Sequence, residues 1–330
     1  MKLAILGAGK IVKDFLSMVG QFPEINLQAI FGREADLENM QAFQTSFRIQ
    51  KIYTDVDALL ADPDVDTIYI GLPNNLHFVY AKKALTAGKH VILEKPFVQT
   101  TAEFHELKQL AVKRHLHLYE AISNQYLANF QTLQDWLPKL GPIHLAVLNY
   151  SQYSSRYDQF KAGTILPAFD VNRGGGALQD LNVYNIHLAV GLFGQPRAIH
   201  YAPNIVNGVD TSGVLSLSYP DLTVAAIAGK DVYSLLQGDS SVIEGEKGFI
   251  RVQSPTNQLA ALSLHTDDED LTTVPVDQHR MYDEFKTFNQ AIADDDWDLM
   301  LKMLDHSYQV MRILEQARTQ IAPNLHVSAI

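Results

Sequence analysis

Over its first 120 residues the chain alternates short apolar runs with helical patterns, and this alternation narrows the possible folds most. Strand–helix–strand repetition builds a parallel sheet with helices packed on its faces. Strands are expected at Leu3–Leu6, Asn26–Phe31, Lys51–Tyr53, Thr67–Gly71, His90–Leu93 and His117–Ala121. Helices are expected at Ile11–Val19, Leu37–Phe47, Val56–Ala61, Leu76–Thr86 and Thr101–Arg114. Asp55 and Thr100 or Thr101 stand where helix caps belong, and Gly88 stands where a helix should stop. Asn74 or Asn75 is the expected cap of the fourth helix.

Beyond residue 121 the pattern changes. Ile143–Ser151, Ala198–Val206, Gly213–Tyr219, Leu222–Gly229, Ser240–Glu244 and Gly248–Val252 read as strands. Tight turns such as Pro220-Asp221 and Gly245-Glu246 make many of them antiparallel neighbours. A helix is expected at Ala177–Leu192, and Met281–Ala293 and Asp298–Gln320 close the chain as amphipathic helices. At 330 residues the chain exceeds the usual size of one core. Two domains are therefore expected, residues 1–121 and 122–330.

Composition removes several function classes. A formal net charge of -11 argues against nucleic acid, whose phosphates would be repelled. No stretch approaches the ~18 apolar residues that span a bilayer. Lys10, Lys13 and Asp14 cut the opening apolar run too early for a secretory leader, so a cytoplasmic location is expected. The absence of cysteine excludes disulfides, thiolate nucleophiles and sulfur-ligated zinc. His105, His115 and His117 lack ligand spacing, so no metal is expected.

Chemistry gathers where expected strands end, the edge at which open α/β sheets hold ligands. Gly7-Ala8-Gly9-Lys10-Ile11 lies between a strand and a helix. Gly7 permits a tight turn there, and Gly9 lets a pyrophosphate approach the helix N-terminus. Val12 replaces the third glycine of that pattern, so the helix should stand slightly farther from the sheet. After the second strand, Gly32-Arg33 suits the 2′-phosphate of NADP, with Glu34 as an alternative partner for the ribose of NAD. Leu72-Pro73-Asn74 forms a further strand-end turn, and His77 is placed to orient it. Val91-Ile92-Leu93-Glu94-Lys95-Pro96 ends an apolar run in a carboxylate, an ammonium and an imino acid. Lys95 so placed, beside a bound cofactor, can trade a proton with a substrate hydroxyl. Pro96 stiffens the turn and is a candidate for a cis bond.

Taken together, Gly7–Gly9, Pro73-Asn74 with His77, Ala87–Val91, Glu94-Lys95-Pro96, Gly174–Asp180 and Leu192–Gly194 resemble the Gfo/Idh/MocA family of nicotinamide-dependent oxidoreductases. The resemblance implies a Rossmann domain followed by an α+β domain with an open-faced, mostly antiparallel sheet. It also implies a homodimer or homotetramer. Its catalytic set maps onto Lys95, Asp180 and Tyr184, tyrosine standing where other branches carry histidine. Asp180 and Tyr184 are four residues apart and share a helix face, which His187 extends. Gln125 stands where relatives often carry arginine, and Asn182 where they often carry glycine. The expected substrate contacts are Lys95, Gln125, Arg173, Asp180, Tyr184 and His187; the expected cofactor contacts are Gly7–Ile11, Gly32, Arg33, Leu72–Asn74, His77, Glu94 and Lys95.

The expected activity is reversible hydride transfer between NADP(H), with NAD as the alternative, and a hydroxyl or carbonyl carbon. The tyrosine-bearing branch handles sugars and cyclic diols, which implies a polyhydroxylated or carbonyl small molecule. A dinucleotide sensor with no catalysis is the competing expectation.

Overall fold

A computed structural model of the chain describes residues 1–233, 241–275 and 278–321. The chain divides into two compact units. The first comprises Met1–Ala121 and Met281–Tyr308; the second comprises Ile122–Arg280 and the described residues from Gln309 onward.

In the first unit six strands form one parallel sheet: β1 (Lys2–Leu6), β2 (Asn26–Phe31), β3 (Lys51–Tyr53), β4 (Thr67–Ile70), β5 (His90–Glu94) and β6 (Leu118–Ala121). Their order is β3-β2-β1-β4-β5-β6, the doubly wound arrangement whose switch point lies between β1 and β4. β1 and β4 are almost wholly buried, as a parallel sheet covered on both faces requires. The crossovers are α1 (Lys10–Val19), α2 (Leu37–Phe47), α3 (Val56–Leu60), α4 (His77–Thr86) and α5 (Thr101–Arg114). Asp55 caps α3 by accepting from the Asp57 amide, and Thr100 with Glu103 closes a capping box on α5. Neither asparagine caps α4. That helix is entered through a 3-10 turn at Asn74–Leu76, and its N-cap position is Leu76, without a side-chain cap.

The chain returns to this unit with α9 (Tyr282–Asp294), reached after α6 (Ala128–Trp136), α7 (Tyr157–Lys161) and α8 (Val183–Phe193). Phe285 lies 4.4 Å from the Phe15 ring and 5.2 Å from Tyr69, and Phe288 stacks on Tyr119. Asp295, past the end of α9, meets His117 Nε2 at 3.0 Å and His115 Nε2 at 3.4 Å. The final helix, α10 (Trp297–Arg318), contributes its residues up to Tyr308 to the first unit.

The second unit is built on an eight-stranded sheet. Its strands are β7 (Ile143–Ser151), β8 (Ala198–Val206), β9 (Val209–Ser218), β10 (Thr223–Gly229), β11 (Ser241–Gly245), β12 (Gly248–Val252), β13 (Leu262–Thr266) and β14 (Asp270–Thr272). The order is β14-β13-β12-β11-β7-β10-β9-β8. Neighbours are antiparallel except β7 and β10, which run parallel; α8 lies in the long connection between them. The reading that began a strand at Ser240 starts on a residue outside the described ones. Ala146, Leu148, Val224, Ala226, Leu215 and Leu217 form the buried face. The opposite face is open, with Leu145 and Val214 among its exposed apolar side chains. Asn182 and Asn185 donate to the Ala226 and Ile227 carbonyls of β10.

Val12, whose bulk was expected to hold α1 off the sheet, packs against a glycine at the end of β4. A Cβ on Gly71, just past β4, would lie 2.8 Å from Val12 Cγ2 and 3.3 Å from Ile11 Cγ2. The bulk that α1 carries at Val12 is accommodated by a missing side chain on the neighbouring strand end. Gly71→Ala should therefore destabilise the protein by about 1–3 kcal/mol through overpacking. Adding Val12→Ala should recover much of that loss, read from urea unfolding midpoints. Strict additivity of the two changes would show that Gly71 does not serve Val12.

Candidate active site

Gly7 follows β1 in a conformation with φ +118°, and a Cβ there would lie 2.7 Å from the Gly71 carbonyl oxygen. Gly9 is the N-cap of α1, extended and without a side-chain cap, and the first turn carries no acid. A Cβ on Gly9 would meet nothing within 4 Å. Uncapped amides, a positive helix end and open space together make a cradle that fits a dinucleotide pyrophosphate. Ala8 and Ile11 are half-buried beside it, and Lys10 is exposed.

At the end of β2, Gly32 sits against Met40: a Cβ there would lie 2.9 Å from the Met40 sulfur. Arg33 is 81% exposed and paired with Asp36 through Nε at 2.9 Å and Nη2 at 3.2 Å. Asp36 holds the guanidinium more basic than usual, and Arg33 in turn holds the Asp36 carboxyl below its usual range. The guanidinium stays charged and stands at the expected strand end.

The turns after β4 and β5 are fastened to each other by His77. Its ring is fully buried, with Nε2 3.0 Å from the Leu72 carbonyl and Nδ1 3.0 Å from that of Pro96 and 3.2 Å from that of Phe97. Burial pushes the imidazole below its ordinary pKa, while these carbonyls pull against that shift. The turn carrying Lys95 has two further braces. Glu94 is buried and accepts from the Tyr69 hydroxyl at 2.8 Å and from the Lys95 amide at 3.3 Å. Glu120, buried in β6, accepts from the Phe97 amide at 2.9 Å. The Lys95-Pro96 peptide is cis. Lys95 itself is half-buried, as are Leu72, Pro73 and Asn74. Tyr69 and Glu120 were not anticipated. Glu120 had left a sign, a carboxylate inside the apolar run Leu118–Ala121.

In the second unit Asp180 lies in a π-helical turn, Leu178–Asn182, that leads into α8. A regular helix was expected across this stretch. The wider turn coincides with side-chain amides drawn into the sheet: Asn182 bonds the Ala226 carbonyl, and Asn185 bonds both Asn182 and the Ile227 carbonyl. Such turns are frequent at functional sites. Tyr184 is buried on the first turn of α8, its ring 5.7 Å from that of Tyr150. His187 is fully buried. Gln125 donates to the His187 carbonyl at 3.1 Å and to Asn124 Oδ1 at 3.0 Å, fastening the 3-10 turn Ser123–Gln125 to α8. Arg173 is paired with Asp170 at 3.1 Å and half-exposed.

The structure adds an unexpected partner for Asp180. Lys230, immediately after β10, places Nζ 2.8 Å from Asp180 Oδ2 and over the Phe169 ring at 4.7 Å. The sequence held a clue in Gly229-Lys230-Asp231, where an apolar strand ends in charge as β5 does. Asp210, on β9, is buried beneath the Gly174–Gly176 segment; it accepts from the Leu178 amide at 2.7 Å and from the Tyr201 hydroxyl at 2.8 Å. A Cβ on Gly176 would collide with its Oδ1.

Residues 1–121 match a family model described as an oxidoreductase family with an NAD-binding Rossmann fold. A scyllo-inositol 2-dehydrogenase (NADP(+)), IolU, of Bacillus subtilis is 30% identical to the chain over 326 residues, 97% of each protein. A trans-1,2-dihydrobenzene-1,2-diol dehydrogenase of Mus musculus is 27% identical across 77% of this chain and 74% of that one. Among solved structures, KijD10, a 3-ketoreductase from Actinomadura kijaniata in complex with NADP and TDP-benzene, aligns with a TM-score of 0.81 at 21% identity. That alignment covers 96% of this chain and 97% of the ketoreductase.

Burial pushes Asp210 from 3.8 up to about 6, against the pull of its hydrogen bonds and of Lys230. A carboxyl raised in the folded state binds its proton more tightly there than in the unfolded chain. The cost is absent below 3.8, grows between 3.8 and about 6, and reaches about 3 kcal/mol above that. Asp210→Asn has no such titration. Its stability relative to the parent protein should rise by about 2 kcal/mol between pH 4 and pH 7 in denaturant melts. Parallel stability curves would contradict the assignment.

Proposed function

The chain belongs to the Gfo/Idh/MocA family of oxidoreductases, and from that premise we propose that it transfers hydride reversibly between NADP(H) and a carbinol or carbonyl carbon of a cyclitol, sugar or vicinal diol. The observation that carries this reading is the braced turn of Lys95. Three buried side chains, His77, Glu94 and Glu120, fix the backbone around one lysine at the ligand-binding edge of a doubly wound sheet. An ammonium on a flexible stem gains directional value only when its base is held.

Cofactor binding falls to the first unit. Gly7–Ile11 would receive the pyrophosphate at the start of α1, Gly32 and Arg33 the adenosine ribose with its 2′-phosphate, and Leu72–Asn74 with Glu94 and Lys95 the nicotinamide end. The bound nicotinamide supplies the hydride chemistry. NADP is favoured by Arg33, and support comes from the cofactor in the name of the Bacillus subtilis relative.

The chain's own residues then manage one proton and one substrate. Lys95 and Tyr184 exchange the hydroxyl proton. Their free pKa values, near 10.4 and 10, must fall for work at neutral pH. Asp180 holds a substrate hydroxyl. The hydrogen bonds of Gln125 to α8 and the burial of His187 favour shaping the pocket wall over direct substrate contact for both. The open face of the second unit's sheet, with Leu145 and Val214 exposed, is where we assign a homodimer or homotetramer contact. A species of single-chain mass in sedimentation would remove that assignment.

Lys95→Met should lower turnover by at least two decades, far more than it weakens NADPH binding read by cofactor fluorescence. The assay is NADPH oxidation with a panel of inososes, keto sugars and vicinal dicarbonyls. Near-full activity in Lys95→Met would refute the lysine's role. Tight NADPH binding with no oxidation across the panel would instead make the protein a dinucleotide sensor.

A further inference from the structure

We propose that Lys230 is a positioning residue for the hydride-transfer site, holding the Asp180 carboxylate ionised and aimed; the proposal rests on the reading of Asp180 given above. Lys230 is 3% exposed, whereas the Asp180 side chain is 36% exposed. A buried ammonium needs partners for its donors, and here a backbone carbonyl, a carboxylate and a ring face supply them. One is the Ala168 carbonyl, one is Asp180 Oδ2 at 2.8 Å, and the Phe169 ring lies beneath at 4.7 Å. Ala168 and Phe169 belong to the 3-10 turn Pro167–Phe169.

The backbone of Lys230 is held as firmly as its side chain. Its amide donates to the Thr211 carbonyl at 2.7 Å, and its carbonyl accepts from the Ser154 amide at 2.8 Å. Cation and carboxylate therefore approach from two separate supports, the end of β10 and the π-helical turn before α8. A salt bridge used only for stability gains little from this arrangement, because the cost of desolvating the ammonium offsets much of the attraction between the charges. The arrangement does fix which way one carboxylate oxygen points. Other charged and titratable groups in this part of the second unit include Asp210, close enough for its charge to interact with Lys230, with Tyr201 bonded to it; Asp231, next in sequence; Tyr157, whose ring lies 5.8 Å from Phe169; the pair Asp170 and Arg173; and Tyr184, on whose ring Tyr150 lies. Asp231 is turned to other partners, accepting from Thr211 Oγ1 and Ser212 Oγ. Lys230 is thus the cation that faces Asp180 from β10.

The test compares Lys230→Met, which keeps length and loses charge, with Lys230→Arg, which keeps charge. In carbon-13 NMR of aspartate-labelled protein, with Asp180→Asn identifying the resonance, the Asp180 titration should move up by about one pH unit in Lys230→Met. It should return toward the parent position in Lys230→Arg. In reduction of scyllo-inosose by NADPH, Lys230→Met should lower kcat about tenfold or more with KM changed less than about threefold, and Lys230→Arg should recover most of the rate. In an Asp180→Asn background, Lys230→Met should cost nothing further. An Asp180 titration untouched by Lys230→Met overturns the proposal and leaves the role of Asp180 standing. An equal rate loss in the Asp180→Asn background also overturns it. Full activity of Asp180→Asn alone removes the parent reading, and with it the catalytic purpose of the pair.

Discussion

The first unit's ligand-binding edge depends on one buried imidazole. The buried His77 ring is wedged between the Leu72 carbonyl on one side and the Pro96 and Phe97 carbonyls on the other; neutral, it donates its one N–H to one side and meets the other by packing alone. A buried carbonyl without a donor costs about 1–3 kcal/mol, so the turn that accepts the His77 proton cannot drift without losing that bond. Glu94 and Glu120 hold the amides of Lys95 and Phe97 in the same way. The lysine side chain remains long and mobile by nature, but its point of attachment is set. Proximity of a proton-handling group to a substrate has catalytic worth only on such a fixed base.

Three lysines in this chain show how context divides one residue type among different tasks. Lys89 is buried and its ammonium bonds the backbone carbonyls of Asp62 and Val65, which is a purely architectural use. Lys230 is buried more deeply but meets a carboxylate that is itself partly open to solvent. Lys95 is half-buried on a braced turn. All three stand next to apolar strands, because a strand end is where a long cationic stem can leave the core. What separates them is the partner each finds.

Much of this was legible in the sequence. Period and caps located β2, α2, β3, α5, β7, β8 and β12 to the residue, since each is bounded by an abrupt change of polarity. The strand-end motifs were legible because glycine, proline and charge concentrate where an apolar run stops. The features that escaped were those made by distant partners. Nothing local announces that Phe285 and Phe288 rejoin Phe15, Tyr69 and Tyr119. The parallel pairing of β7 with β10 is set across a long connection, and the short strands β13 and β14 are too polar to stand out. The π-helical turn escaped because an apolar helix pattern carries no mark of one inserted residue. Lys230 escaped for a related reason: its significance lies in Asp180, fifty residues earlier in the chain.

Hydride transfer to a substrate carbon is the central claim, and isotope transfer addresses it without reference to any single side chain. NADPH deuterated at the transferable C4 position, incubated with the protein and scyllo-inosose or a related cyclic ketone, should yield an alcohol that carries one deuterium on the carbinol carbon by mass spectrometry. Tight NADPH binding with no deuterium in any product of the ketone panel would contradict the account.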